Sequence, residues 1–270
     1  MKKPLLFLLL ALGFSGMQLV AQTAGRRPPQ AKTQQEFKDY NTAYAITGGE
    51  AMEKAAGDFA AKYPESELRP YLFAKAMHEF QNENNSPKML AAGEKVLQVD
   101  PDNSVALVLT ATVIADDLKD HSAKDEDKDR QKKIDEVKKN SSHALQTMDT
   151  AFVAPANATP EQITAYKASL QSMAHSALGI TALKSGDDGG AEKELKAAAS
   201  LSQGEADPYV WYHLALAQDH QNKYDEAIVS ISQALLHVGS NAELQQLAQG
   251  ERERLLLLTK SKTNSPQPPK

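Results

Sequence analysis

The stretch "WYHLALAQDHQNKYDEAIVSISQAL", residues 211–235, decides how this chain folds. Trp211, Leu214 and Ala215 precede a polar turn at 220–223, and Ala227, Ile231 and Ala234 follow it. Apolar residues at three- and four-residue intervals paint one face of a helix. The stretch therefore predicts two helices whose facing positions are filled by alanine.

Reading outward, the same pattern predicts helices at 34–47, 50–63, 68–82, 86–99, 104–119, 127–150, 160–185, 188–202, 207–221, 224–238 and 241–259. Strand signals are missing: no sustained apolar alternation, and no Asn-Gly or Asp-Gly turn between β-branched runs. Short turns between helices make neighbours antiparallel. Helix starts are marked by Thr159 with Pro160 and Gln162, and by Asp207–Pro208, Ser86–Pro87 and Ser240 with Glu243. In 160–185 the residues Ile163, Tyr166, Leu170, Met173, Ala177 and Ile180 line one face, and Gly186 ends the helix.

A period joins these pairs. Residues 211–235 resemble the tetratricopeptide repeat (TPR), whose pattern is W-x-x-L-G-x-x-Y, then A-x-x-x-F-x-x-A, then often Pro, over 34 residues. Trp211 and Leu214 match, Ala215 stands for the small Gly, and Ala227 and Ala234 match the small positions. Ile231 replaces the aromatic, Gln218 the Tyr and Gly239 the Pro. The frame recovers 70–103, with Phe73, Ala76, Met77 and Phe80 before Met89, Gly93 and Val96, and 172–205, with Leu178, Gly179, Ala191, Leu195 and Ala198. Residues in the Gly slot are Met77, Ala111, Gly179 and Ala215, which are 34, 68 and 36 positions apart.

The resemblance implies an all-α fold, a right-handed α-solenoid of antiparallel helix pairs across 34–260, with clearest units at 70–103, 172–205 and 208–241. No pair buries its apolar face alone, so the units must stack. Residues 241–259 then make a C-terminal capping helix with Leu244 and Leu247 inward and "ERER" outside. The region 104–171 departs from the frame, and extended helices within 116–171 predict a longer central helical arm. The run Leu255–Leu258 exceeds one apolar stripe; it folds back on the last repeat, or it pairs two copies as a homodimer.

The N-terminus "MKKPLLFLLLALGFSGMQLVAQTAG" orders two lysines, a leucine-rich run and small residues, as a secretory signal does. Cleavage after Ala21, or alternatively Ala24, predicts an exported chain, periplasmic or extracellular. The rival reading, an uncleaved anchor over 4–21, is broken by Gly13, Ser15, Gly16 and Gln18. Residues 22–33 and 261–270 are polar and Pro-containing, and are expected to be a disordered linker and tail. Arg26 and Arg27 are read there as solvated, or as touching lipid headgroups. With no Cys, there are no disulfides, thiolate metal sites or cysteine nucleophile. A net charge of −5 lacks the basic field that nucleic acid demands.

Candidate chemistry reads as bland. Asp125, Asp127, Asp129 and Glu136 have the spacing of a calcium loop, but Arg130 stands where such a loop needs Gly and Lys132 where it is usually apolar. A solvated helix start with Asp129–Lys133 and Asp135–Lys139 pairs is the better reading. The seven His do not cluster, and no nucleophile elbow, P-loop or H-E-x-x-H occurs. "GDDGG" at 186–190 falls where the repeat needs a turn. No metal or cofactor is expected, and no enzymatic activity.

What remains is a surface. The family resemblance implies an inner groove, lined by the first helix of each pair, that holds a peptide or protein segment. Residues flanking the packing positions would line it: Tyr71, Ala74 and His78; Val105, Val108 and Thr112; Tyr209, Tyr212 and Leu216. Tyrosines suit contact surfaces because they bury area at small entropic cost, though some are equally expected to pack between repeats. The carboxylate clamp of chaperone-binding relatives is not matched. The expected function is a non-catalytic protein-interaction scaffold of the bacterial cell envelope. The alternatives are a helical domain with a metal or substrate site in 116–150, and a self-associating structural protein.

Overall fold

The computed structural model describes residues 26–119, 129–155, 157–202 and 207–263. The expected signal segment 1–21 and the first linker residues 22–25, Asp125 and Asp127, and residues 264–270 lie outside the described residues.

Among the described residues there are eleven α-helices and no strand. They are α1 (Gln34–Tyr44), α2 (Gly49–Lys62), α3 (Arg69–Asn82), α4 (Ser86–Val99), α5 (Ser104–Asp117), α6 (Arg130–Ala151), α7 (Pro160–Lys184), α8 (Asp188–Leu201), α9 (Pro208–His220), α10 (Tyr224–His237) and α11 (Ala242–Thr263). Each coincides, within a few residues at its ends, with a helix that the sequence predicts.

The helices start where side chains satisfy orphan amides. At α7 the capping box closes both ways: the Gln162 amide donates to Thr159 Oγ1 (3.3 Å), and the Thr159 amide to Gln162 Oε1 (2.9 Å). Asp207 caps α9 by accepting from the Tyr209 amide. Two expected caps move by one residue. Asn85, not Ser86, accepts from the Lys88 amide at α4, and Asn241, not Ser240, accepts from the Leu244 amide at α11.

Three of the turns inside helix pairs, α3–α4, α7–α8 and α9–α10, share one device. Asn84, Gly186 and Asn222 have φ of 54°, 81° and 59°. The residue after each sends its amide back into the preceding helix: Asn85 to Phe80 O, Asp187 to Ala182 O and Lys223 to Gln218 O, each at 2.9 Å. A left-handed residue closed by such a bond is a Schellman cap. These turns stand 102 (186 − 84) and 36 (222 − 186) residues apart, about three repeats and one.

The described residues form two compact units, with the division falling inside α5, α6 and α7. In the unit of residues 26–114 and 136–170, α3 packs on α2 and α4. The α5 segment 106–111 is buried all round, as a helix apolar on every side must be. Its Thr110 lies against Gly93 of α4, where a Cβ would stand 2.5 Å from Thr110 Cγ2, and it accepts from Asn140 of α6 at 3.2 Å. The α6 residues Val137, Ala144 and Met148 are fully buried, so this long helix is packed along one face.

In the unit of residues 115–135 and 171–263, α9 packs on α8 and α10, and α10 on α11. Ala215, Ala227, Ile231, Ala234, Ala248 and Leu255 form one fully buried cluster. Gly179 takes its slot for the expected reason: it lets α7 close on Leu195 of α8. Met77, Ala111 and Ala215, the other residues of that slot, are at most 1% exposed.

Four sequence expectations are corrected. Residues 26–32, assigned to a disordered linker, are ordered non-helical chain tied to the helices, because acidic groups distant in sequence gather beneath them. The helix α11 continues through Thr263, beyond the expected end of the repeat domain at 260. Its buried stripe is Leu244, Ala248 and Leu255, leaving Leu247 49% exposed on the flank. Val108, placed in the groove, is a core residue at 0% exposure. Among the described residues, no helix is long and apolar enough to cross a membrane.

Candidate partner-binding surfaces

The first unit presents the α3 residues. Tyr71 is half-buried, and burial pushes its hydroxyl up to about 12. It lines a pocket of about 300 Å³ with Arg26, Pro70, Asp100 and Val153. One turn along, Lys75 donates to Ile46 O (2.9 Å) and Glu79 Oε1 (2.7 Å) and lies 5.6 Å from the Tyr44 ring. Ala74 and His78 are half-buried, with His78 Nδ1 3.3 Å from Gln81 Oε1. Val105 and Thr112 of α5 are half-buried as well, and Thr112 donates to Val108 O.

The second unit presents α9. Leu214, Ala215, Ala217 and Gln218 turn inward and are buried. Gln218, in the slot of the repeat's Tyr, accepts from Ser230 of α10 at 2.7 Å, so a buried hydrogen bond replaces aromatic packing there. The other face carries an aromatic group. The Tyr209 ring stacks on His213 (6.4 Å, 29°), and Tyr212 meets His213 edge-on (5.7 Å, 75°). Tyr209 is 37% exposed, and its hydroxyl accepts from Asn241 Nδ2 at 3.2 Å. Tyr212 also lies against the Ala215–Leu255 cluster; burial first, then the charge of Glu251, pushes its hydroxyl up. Leu216 is half-buried. The structure thus gathers Tyr209, Tyr212 and His213 on α9, and gives Tyr71 a largely enclosed setting.

The residues read as packing positions are placed as follows. Leu214, Ala215, Ala227, Ala234 and Ala191 are at most 2% exposed. Leu178 is half-buried, and so is Trp211, whose Nε1 is enclosed without a hydrogen-bond partner among the described residues.

Sequence reading missed a charged hub. Glu192 of α8 is 6% exposed and accepts from Lys196 (2.6 Å), Lys223 (2.6 Å) and Gln221 (2.9 Å). Burial pushes its carboxyl up, but these donors outweigh it and hold the group at about 2. The Glu192–Lys196 spacing, one helical turn, was the available signal; the Lys223 contact has none in sequence. Among the described residues, no group of three or more His, Asp and Glu is arranged to hold a metal ion.

No protein-family model matches the chain, and no curated protein does. Solved structures do. PilF of Pseudomonas aeruginosa is 16% identical, with 86% of this chain and 96% of that one covered, at a TM-score of 0.51. TTC0263, a thermophilic TPR protein of Thermus thermophilus, is 14% identical, covering 81% and 97%, at 0.47. MamA is 15% identical, covering 74% and 98%, at 0.41. At such identities the likeness is one of fold. The chain has the consecutive helix-pair fold of tetratricopeptide structures, as its repeat spacing and capped turns require.

Proposed function

We propose that this chain is a non-catalytic protein-interaction scaffold of the bacterial cell envelope. After cleavage of its signal it acts in the periplasm or outside the cell, holding a peptide or protein segment against the first helices of its pairs. One observation carries the reading: α9 buries Leu214, Ala215, Ala217 and Gln218 and leaves Tyr209, Tyr212 and His213 only partly buried, joined ring to ring along one flank. Such rings bury large area at small entropic cost when a partner arrives.

The test is crosslinking and affinity capture of the mature chain in its own envelope, read by mass spectrometry. Replacing Tyr209 and Tyr212 with Ala is expected to abolish capture at unchanged helical content. Capture that survives both changes defeats the assignment. Tyr71 and His78 form the second set to be replaced, scored in the same assay.

Self-association is the second reading, supported by Leu257, which is 68% exposed two residues beyond the buried Leu255.

A further inference from the structure

Residues 26–32, "RRPPQAK", are bound to the helices as a ligand peptide would be. Arg26 donates to Asp100 Oδ1 at 2.5 Å, and its amide donates to Phe152 O at 3.3 Å. Arg27 donates to Glu67 Oε1, the Gln30 amide donates to Glu67 Oε2 (3.2 Å), and the Lys32 amide donates to Glu36 Oε2 (2.7 Å). Pro28 and Pro29 have no amide to satisfy and favour extended chain, which lowers the entropy lost on binding.

The receptor is built. Asp100 caps the end of α4, is 7% exposed, and is steadied by Asn103 Nδ2 at 3.3 Å. Glu67 stands in the turn before α3, exposed enough to be reached. The strap does not fill its seat: about 300 Å³ remains, bordered by Pro70, Tyr71, Val99 and Val153 on the helical side. Of its two ion pairs, Arg26–Asp100 is part-buried and Arg27–Glu67 is the weak one. The Arg27–Glu67 pair is solvent-exposed on both sides, and such pairs contribute about 0–1 kcal/mol.

We propose that this cleft is a receptor for an extended segment bearing two adjacent arginines followed by proline, and that the chain's own 26–30 occupies it in cis. The incoming segment belongs to a partner, presents its first guanidinium to Asp100 and its second to Glu67, and places its following side chains in the unfilled volume. A tethered competitor acts at millimolar effective concentration, so the strap sets a threshold that a partner must exceed. The inference goes beyond the α9 surface and needs none of its residues.

The experiment is fluorescence anisotropy with labelled Gly-Arg-Arg-Pro-Pro-Gln, the chain's own residues 25–30, as probe. It is titrated against the full chain, R26S/R27S, and R26S/R27S with D100N and E67Q added. Saturable binding to R26S/R27S, at least tenfold tighter than to the unaltered chain, is expected. It should vanish when the two acids are neutralised or the probe's arginines become serines. E67Q added alone to R26S/R27S, at an exposed position, is expected to weaken the probe severalfold even if D100N disturbs folding. No saturation at millimolar probe overturns the proposal, as does equal affinity with the strap intact, or affinity indifferent to Glu67. Tyr212→Ala added to R26S/R27S must bind the probe as R26S/R27S does, so failure of the probe to bind concerns this cleft and leaves the α9 reading standing.

Discussion

A Cβ placed on Gly179 would stand 2.6 Å from Leu195 Cγ and 3.2 Å from the Leu195 backbone nitrogen. No real Cβ sits that near a branched carbon, so α7 and α8 meet here at a distance that only glycine permits. Gly179→Ala is therefore expected to destabilise the chain by about 1–3 kcal/mol through overpacking, despite the better helix propensity of Ala. Gly57 is the control. A Cβ there meets nothing within 4 Å, so Gly57→Ala should stabilise by up to about 1 kcal/mol. Urea unfolding of both variants measures the contrast; equal effects would mean that the Gly179 contact is not tight.

The left-handed turn residues give a second test. At Asn84, with φ of 54°, a β-branched side chain is strained whereas glycine is not. Asn84→Val should cost about 1–2 kcal/mol, and Asn84→Gly should be close to neutral. The midpoint of thermal unfolding, read by circular dichroism, ranks the two. Asn222 should give the same order with a larger cost, since its Oδ1 also accepts from Tyr224 at 2.7 Å.

The helices were legible in sequence because each signal was local: a cap, an apolar stripe and a turn within some fifteen residues. Where the reading slipped, two neighbours offered the same chemistry. Ser86 and Asn85, or Ser240 and Asn241, are both capping residues, and only the backbone angle selects one. Leu247 slipped because i+3 and i+4 both suit a helical face, and the partner surface chose Ala248. The strap was unreadable for a different reason. Its composition is that of unfolded chain, and its order comes from Asp100, 74 positions from Arg26, and Glu67, 40 from Arg27. The α9 surface lay between these cases: the repeat frame pointed to Tyr209 and Tyr212, while the joining role of His213 rests on ring geometry.

Glu192 makes stability depend on pH in a defined window. Its folded carboxyl is held at about 2, below the ordinary glutamate value near 4.3. A depressed carboxyl stabilises the folded chain above its unfolded pKa, and that contribution is lost as pH falls through the folded one. Glu192→Gln should therefore lower stability at pH 6, by an amount on the order of 1.5–3 kcal/mol for hydrogen bonds to a charged group. The gap should shrink from about pH 4.5 and close near pH 2, as denaturant titrations at stepped pH would show. A gap that persists undiminished at pH 2 would mean that packing rather than charge is what the substitution removes.

The C-terminal leucines separate folding from association. Leu255 is fully buried against Ala215, Ala227, Ile231 and Ala234, so Leu255→Ala should cost about 2–5 kcal/mol. Leu257, at 68% exposure, should change stability by less than about 0.5 kcal/mol when made Ala. Light scattering then decides what Leu257 is for. If two copies pair through this helix, Leu257→Ala halves the measured mass at a concentration where the unaltered chain is dimeric. If the unaltered chain has the mass of one copy up to high micromolar concentration, Leu257 is surface and the run serves the last repeat alone. Truncation after Gly250 cannot make this distinction, because it removes Leu255 from the core along with Leu257 from the surface.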